Sequence, residues 1–217
     1  MNASFALQIF HFFINGSFMQ LFFLILLAYL LGSLPFGLFI ARARGVDLRR
    51  VGSGNIGATN VFRTVGRPWG LLCFALDFLK GLLAAGLLPR LLPGLLESAG
   101  LENAGLIGGA AGIAGHNWPV WLKFKGGKGV ATSAGVLCAV APYALLGGLA
   151  VWLLTLKLSR MVSLASILAA LAVTLGGWIF YRDHLWTAGV LTLLGILAVA
   201  RHRSNIARIL GGVENKF

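Results

Sequence analysis

The sequence predicts an all-α, polytopic membrane protein of about seven transmembrane helices, N-terminus outside and C-terminus cytoplasmic. Three observations carry that expectation. The 217 residues are 58% hydrophobic and only 11% charged, with a mean hydropathy of +0.87, whereas a soluble domain of this size needs far more charge to cover its surface. Apolar stretches that can cross about 30 Å of hydrocarbon recur along the whole length, which leaves one integral domain over 17–217 and no soluble appendage. The 18 Lys and Arg outnumber 6 Asp and Glu, a net charge of +12, and an excess of this kind orients membrane helices by keeping cations inside.

Residues 1–16 are apolar and aromatic but too short to cross, so they read as an interfacial extension. No basic region precedes them, so no cleaved signal is expected. Ser17 to Ile40 is the first span, with Pro35 near its end. Arg42 to Arg67 follows with six arginines against Asp47, and Trp69 to Leu92 is the second span. A loop from Pro93 to Asn103 holds two glutamates and no Lys or Arg, so the arginine segment is assigned to the cytoplasm and this loop to the outside. Ala104 to Leu122 returns inward, placing Lys123, Lys125 and Lys128 in the cytoplasm.

Val130 to Leu156, Met161 to Tyr181 and Leu185 to Ala200 complete the apolar stretches. Counted as single spans they would leave Arg201, His202, Arg203 and Arg208 outside, against the charge rule. Breaking Val130 to Leu156 into two short helices or a re-entrant hairpin, around Pro142 or Gly147 and Gly148, restores it, because proline and paired glycine interrupt helices. Trp69, Trp118, Trp121 and Trp186 fall at span ends as interface anchors. Gly108, Gly109 and Gly112 give one helix a close-packing face.

Composition also excludes chemistry. Cys73 and Cys138 lie in apolar runs as packing residues. His11, His116, His184 and His202 form no ligand pattern, so neither metal nor cofactor is expected. The cations suit membrane phospholipids or a phosphorylated substrate; no nucleic acid is expected.

Three polar, glycine-rich segments interrupt the apolar chain: Gly52 to Arg63, His116 to Thr132 and Arg201 to Glu214. Charge counting puts all three on the cytoplasmic side. In the first, Ser53, Asn55, Thr59 and Asn60 supply hydroxyls and amides, and Arg63 follows; a hydroxyl with a guanidinium can hold a phosphate by charge-assisted hydrogen bonds. In the second, Gly126, Gly127 and Gly129 surround Lys128, a pattern suited to backbone amides wrapping an oxyanion ahead of a helix N-terminus. It is not a Walker A loop. His116 precedes it as a helix end or loop contact and is not expected to act as a base. In the third, His202 and Asn205 lie three apart on one helix face. His202 should be neutral beside its arginines, and Glu214 reads as a structural ion-pair partner. Asp77 and Lys80, three apart inside a span, are a local pair or a group near the site. Ser163 and Ser166 share a helical face and could add hydroxyls to a phosphate site.

SGNIGATN with Arg63, then HNWPVWLKFKGGKGVAT, then RHRSNIARILGGVE together resemble the PlsY family of bacterial acyl-phosphate-dependent glycerol-3-phosphate acyltransferases, in motifs that span nearly the whole chain. The family's motif residues match at Ser53, Asn55, Arg63, Lys128, His202, Asn205 and Glu214. The resemblance implies transfer of a long-chain acyl group from acyl phosphate to glycerol 3-phosphate. The products are lysophosphatidic acid and phosphate, made for phospholipid synthesis at the cytoplasmic face of the bacterial inner membrane. It further implies a functional link to a soluble acyl-phosphate-forming enzyme. The residues five positions after the four histidines are Gly16, Trp121, Gly189 and Ala207, so the His-x-x-x-x-Asp pair of many glycerolipid acyltransferases is missing. The expectation is therefore direct attack by the glycerol hydroxyl, with a substrate phosphate oxygen taking the proton. A membrane transporter for a phosphorylated solute is the alternative that cationic glycine loops also allow, and a lipid-binding structural protein would need only the positive charge.

Overall fold

The computed structural model describes residues 17–216, so the extension expected over 1–16 lies outside the described residues. All regular structure among the described residues is helical. α1 (Ser17–Gly32) and α2 (Phe36–Ala43) together form the first long apolar helix. They break where Pro35 lacks an N–H and biases Leu34 away from helical geometry. After the short α3 (Ala58–Thr64), Pro68 opens α4 (Arg67–Leu82), which continues through a π turn at Leu83–Leu87 to Leu88–Arg90.

The expected loop from Pro93 to Asn103 is instead the start of a helix. α5 runs Pro93–Asn117, with proline in its first turn and a kink absorbed by Gly100 at φ 74°, a left-handed conformation that glycine adopts without strain. The glutamates and glycines that suggest a loop thus belong to helical turns on either side of one hinge. α5 also ends before the expected Leu122, because Trp118 precedes Pro119; Val120–Leu122 is a single 3-10 turn.

The long apolar stretch that follows is broken, and at Pro142: α6 (Val130–Val140) and α7 (Pro142–Ser159) meet at Ala141. Gly147 and Gly148 lie inside α7. Lys128, just before α6, and Ser163, just after α7, are joined through Asn205 and Glu214 in one hydrogen-bonded group, so α6 and α7 leave and return to the same end of the bundle. Eleven residues make α6 about 16 Å long, short of a bilayer crossing. α8 (Val162–Phe180), α9 (Leu185–Arg201) and α10 (Arg203–Leu210) complete the chain, with a bend of 56° between the last two.

Among the described residues, four helices are long and apolar enough to cross a membrane: Ser17–Ala43, Arg67–Arg90, α7 and α8, with α9 and α10 as a bent fifth candidate. Large apolar side chains such as Phe22, Leu72, Leu154 and Leu193 are exposed on the outer surface. The interfaces are close backbone contacts. A Cβ on Gly32 of α1 would lie 2.0 Å from the Gly112 carbonyl oxygen of α5, and one on Gly81 of α4 would lie 2.1 Å from the Thr132 oxygen of α6. Gly108 and Gly109 pack as expected, against Ala84 and Val136. With lipid outside and no water to expel, such close van der Waals packing replaces hydrophobic burial as the adhesive.

Candidate active site

The three polar segments meet at one end of this bundle. Asn60 ties the first into shape. Its buried Nδ2 donates to the carbonyls of Asn55 (2.9 Å), Val51 (3.2 Å) and Leu48 (3.3 Å), while its Oδ1 accepts from the Ser53 N–H at 3.0 Å. Asn55 Oδ1 accepts from Gly57 N–H at 2.8 Å. The Asn60 amide and Asn55 Oδ1 therefore serve the loop, Ser53 and Asn55 border the cavity, and Arg63 follows on α3.

The second segment is pinned rather than open. Gly126 N–H donates to the Asn117 carbonyl (3.2 Å) and Gly127 N–H to the His116 carbonyl (3.1 Å), so these amides satisfy the C-terminal carbonyls of α5. The expected wrap of loop amides around an anion is thus not what Gly126 and Gly127 build. A Cβ on Gly127 would fall 2.1 Å from His116 Nε2, which explains the need for glycine there. Arg201 clamps the same loop, donating from Nη2 to the Gly127 carbonyl at 2.6 Å. Gly129, at φ 80°, borders the cavity and turns the chain into α6 with the Lys128 side chain beside it.

The third segment closes the site. Lys128 Nζ donates to Asn205 Oδ1, and Asn205 Nδ2 donates to Glu214 Oε1 at 2.8 Å. Glu214 also accepts from Ser163 Oγ at 2.8 Å and pairs with Arg208 Nε at 2.7 Å. These contacts tie the tail to α8 and α10. Burial would push the Glu214 carboxyl up, but hydrogen bonds from Ser163, Asn205 and Arg208 outweigh this and hold it below the usual range. Burial, reinforced by nearby Arg208, pushes the Lys128 ammonium down to about 8. His202 Nδ1 lies 2.8 Å from the Ala198 carbonyl. A carbonyl can only accept, so Nδ1 carries the proton and Nε2 keeps its lone pair. Burial is the main cause that lowers His202 to about 4, so the expected neutrality is met chiefly by desolvation and less by the neighbouring cations.

These side chains surround a cavity of about 310 Å³. Its polar end is bordered by Ser53, Asn55, Asn60, Arg63, Lys128, His202, Asn205 and Glu214, with Ser163 and Ser166 on α8. Beyond them it continues between α6, α7, α8 and α9 as an apolar arm. Gly126 and Gly127 are not among the bordering residues. Two supports escape sequence reasoning. Arg201 reaches back 74 residues to the glycine loop, and Asp77 pairs with Lys80 at 2.8 Å while lying 3.6 Å from His116 Nδ1. Asp77 and Lys80 were legible as a pair by helical spacing; their approach to His116 depends on helix packing that spacing cannot reveal.

The family model for glycerol-3-phosphate acyltransferase matches residues 22–212, almost the entire described chain. The chain belongs to this family. A glycerol-3-phosphate acyltransferase of Trichlorobacter lovleyi is 47% identical over 191 residues, covering 88% of this chain and 94% of that one. One of Aquifex aeolicus is 45% identical over 203 residues, covering 92% and 100%. Among crystal structures, the integral membrane glycerol 3-phosphate acyltransferase PlsY in its glycerol 3-phosphate form superposes with a TM-score of 0.80 at 43% identity, covering 91% of this chain and 95% of that one. Its lysophosphatidic acid form gives 0.77 at 42% identity with the same coverage. This family member is accordingly an integral membrane protein, helical throughout its described residues, and the segments carrying Ser53, Lys128 and His202 border one cavity.

Proposed function

We propose that this protein transfers a long-chain acyl group from acyl phosphate to glycerol 3-phosphate, releasing lysophosphatidic acid and inorganic phosphate for phospholipid synthesis. The observation that carries the reading is the cavity's composition: cations and hydroxyls at one end, an apolar arm at the other. An amphiphilic donor with an anionic head fits that division, and relatives crystallised with glycerol 3-phosphate and with lysophosphatidic acid match one substrate and one product.

In this mechanism Arg63 and Lys128 neutralise the two phosphates, and Ser53, Asn55, Ser163 and Ser166 orient them. His202 and Asn205 position the glycerol, with the His202 Nε2 lone pair accepting a hydrogen bond from the glycerol hydroxyl that does not attack. Asn60 and Gly129 shape the loops, Arg201 fixes the strand of chain through Gly126 and Gly127, and Glu214 locks the tail. The glycerol oxygen attacks the acyl carbonyl carbon, the bond from that carbon to the phosphate oxygen breaks, and a substrate phosphate oxygen takes the hydroxyl proton. Acyl phosphate is already activated, so positioning and charge stabilisation suffice; no acyl-enzyme forms and no cofactor is required.

The polar end faces the cytoplasm of a bacterial inner membrane in this reading. Arg42 to Arg67, Lys123 to Lys128 and Arg201 to Arg208 concentrate there, while the opposite end carries Glu97, Glu102 and Asp183 against two cations, Arg90 and Arg182. Counting the short α6 and the longer α7 as separate spans gives seven, with the N-terminus outside and the C-terminus inside. Residues 17–217 then form one catalytic domain, bathed by phospholipid and supplied by a soluble enzyme that makes acyl phosphate. Purified protein given palmitoyl phosphate and glycerol 3-phosphate should release phosphate and form lysophosphatidate in equal amounts. Product only from acyl thioesters overturns the donor assignment, and no product from any donor favours a transporter of phosphorylated solutes.

A further inference from the structure

The apolar arm of the cavity has a floor. Along α8, Ser163, Ser166, Ala170 and Val173 fall at spacings of three, four and three, so they form one stripe that runs from polar to apolar along the cavity wall. Trp152 of α7 donates from Nε1 to Ser166 Oγ at 3.3 Å, marking where the hydroxyls give way to hydrocarbon. At the far end Leu137 of α6, Leu145 of α7, Val173 of α8 and Leu191 of α9 all border the cavity. The same four belong to one packed cluster, with fully buried Ala141 and Ala144 as further members. Four helices thus contribute one side chain each to a plug, at the turn of the α6–α7 hairpin.

The depth of the arm follows from helix geometry. Ser163 and Val173 are ten residues apart, about 15 Å along α8. A fully extended chain covers about 3.5 Å in three bonds, so about a dozen carbon–carbon bonds reach the floor and a longer tail must bend away from it. Burying one more methylene is worth about fourfold in affinity, and that gain stops where the plug begins.

We propose that Leu191, with Leu137, Leu145 and Val173, sets the acyl-chain preference of the enzyme by closing the arm, and that Ala170 keeps its middle open. This rests on the reading of the cavity as an acyltransferase site with an acyl-phosphate donor. Neither Ala170 nor Leu191 approaches the cationic end, so changing them should alter which tail is used and leave the chemistry in place.

The test compares kcat/KM for stearoyl and lauroyl phosphate with glycerol 3-phosphate in the wild type, Leu191→Ala and Ala170→Leu. Leu191→Ala deepens the arm and should raise the stearoyl-to-lauroyl ratio about tenfold, while Ala170→Leu narrows it and should lower the ratio about tenfold. Val173→Ala, at the same floor, reads the same shift if Leu191→Ala does not survive purification. Stearoyl and lauroyl lysophosphatidate binding, followed by thermal shift, should change in the same directions, and this arm is independent of the acyl donor. Unchanged ratios in both assays overturn the inference while leaving the function intact. A wild type inactive with every acyl phosphate overturns the donor assignment instead, and the lysophosphatidate arm then still decides whether the floor reads chain length.

Discussion

At the polar end of the cavity, side chains hold one another across three distant chain segments, whereas between α1 and α5 and between α4 and α6 helices meet through side chains that are small or missing. Lys128, Asn205, Glu214, Ser163 and Arg208 form a continuous hydrogen-bonded chain linking the glycine loop, α8, α10 and the tail. Between α4 and α6, Gly81 on Thr132 and Gly135 on Phe78 are backbone-to-backbone approaches. The difference teaches a division of labour. Small residues assemble the scaffold without spending polar groups in lipid, where an unpaired one is costly. The polar groups are concentrated at the end where the proposed function places two anions.

The comparison breaks most sharply at the cations. Lys128→Ala and Arg63→Ala should each lower turnover at least about a hundredfold, the scale seen when a preorganised donor is removed from a transition state, while the protein still inserts and elutes normally by size exclusion. Near-normal activity in Lys128→Ala would remove the glycine loop from the mechanism. Gly81→Val should do the reverse. Its Cβ would lie 2.1 Å from the Thr132 carbonyl oxygen, so α4 and α6 must part, at about 3 kcal/mol, and purified yield should collapse.

A milder break comes from pH. Lys128 is pushed down to about 8, so its charge is present below that pH and lost above it. kcat/KM, which reports the free enzyme, should hold below about pH 8 and fall about tenfold per unit beyond it. Lys128→Arg keeps its charge to much higher pH, so whatever activity it retains should lack that alkaline limb. The smallest effect is expected at Glu214. Glu214→Ala leaves Ser163, Asn205 and Arg208 without their acceptor at about 2 kcal/mol, to be seen as a melting temperature lower by several degrees and a reduced yield, with turnover per folded molecule falling less than for Lys128→Ala.

Much of this division is legible in the sequence because its signals are local. Glycine with cations marks each polar segment, and the count of charges between spans requires the break that the structure places at Pro142. The beginning of α5 is not legible, because Glu97, Gly100 and Glu102 carry the composition of a loop and only Gly100's left-handed backbone reveals a hinge inside a helix. The glycine loop misleads in a different way. Its amides look available to an anion until α5 is placed beneath it, when Gly126 and Gly127 are found capping the carbonyls of Asn117 and His116. Arg201's grip on Gly127 and Asp77's approach to His116 join residues many turns apart. No periodicity encodes such contacts, since they follow from which helix faces meet.

The central claim is that both phosphorylated substrates occupy the one polar end together and that the acyl group passes between them in a single step. Exchange of labelled inorganic phosphate into palmitoyl phosphate, measured with purified protein in the absence of glycerol 3-phosphate, tests it most directly. Direct transfer allows no exchange until the glycerol is present, whereas an acyl-enzyme would exchange without it. Label appearing in palmitoyl phosphate with no acceptor added would contradict the account, and its absence from an enzyme that is active once glycerol 3-phosphate is added is the result expected.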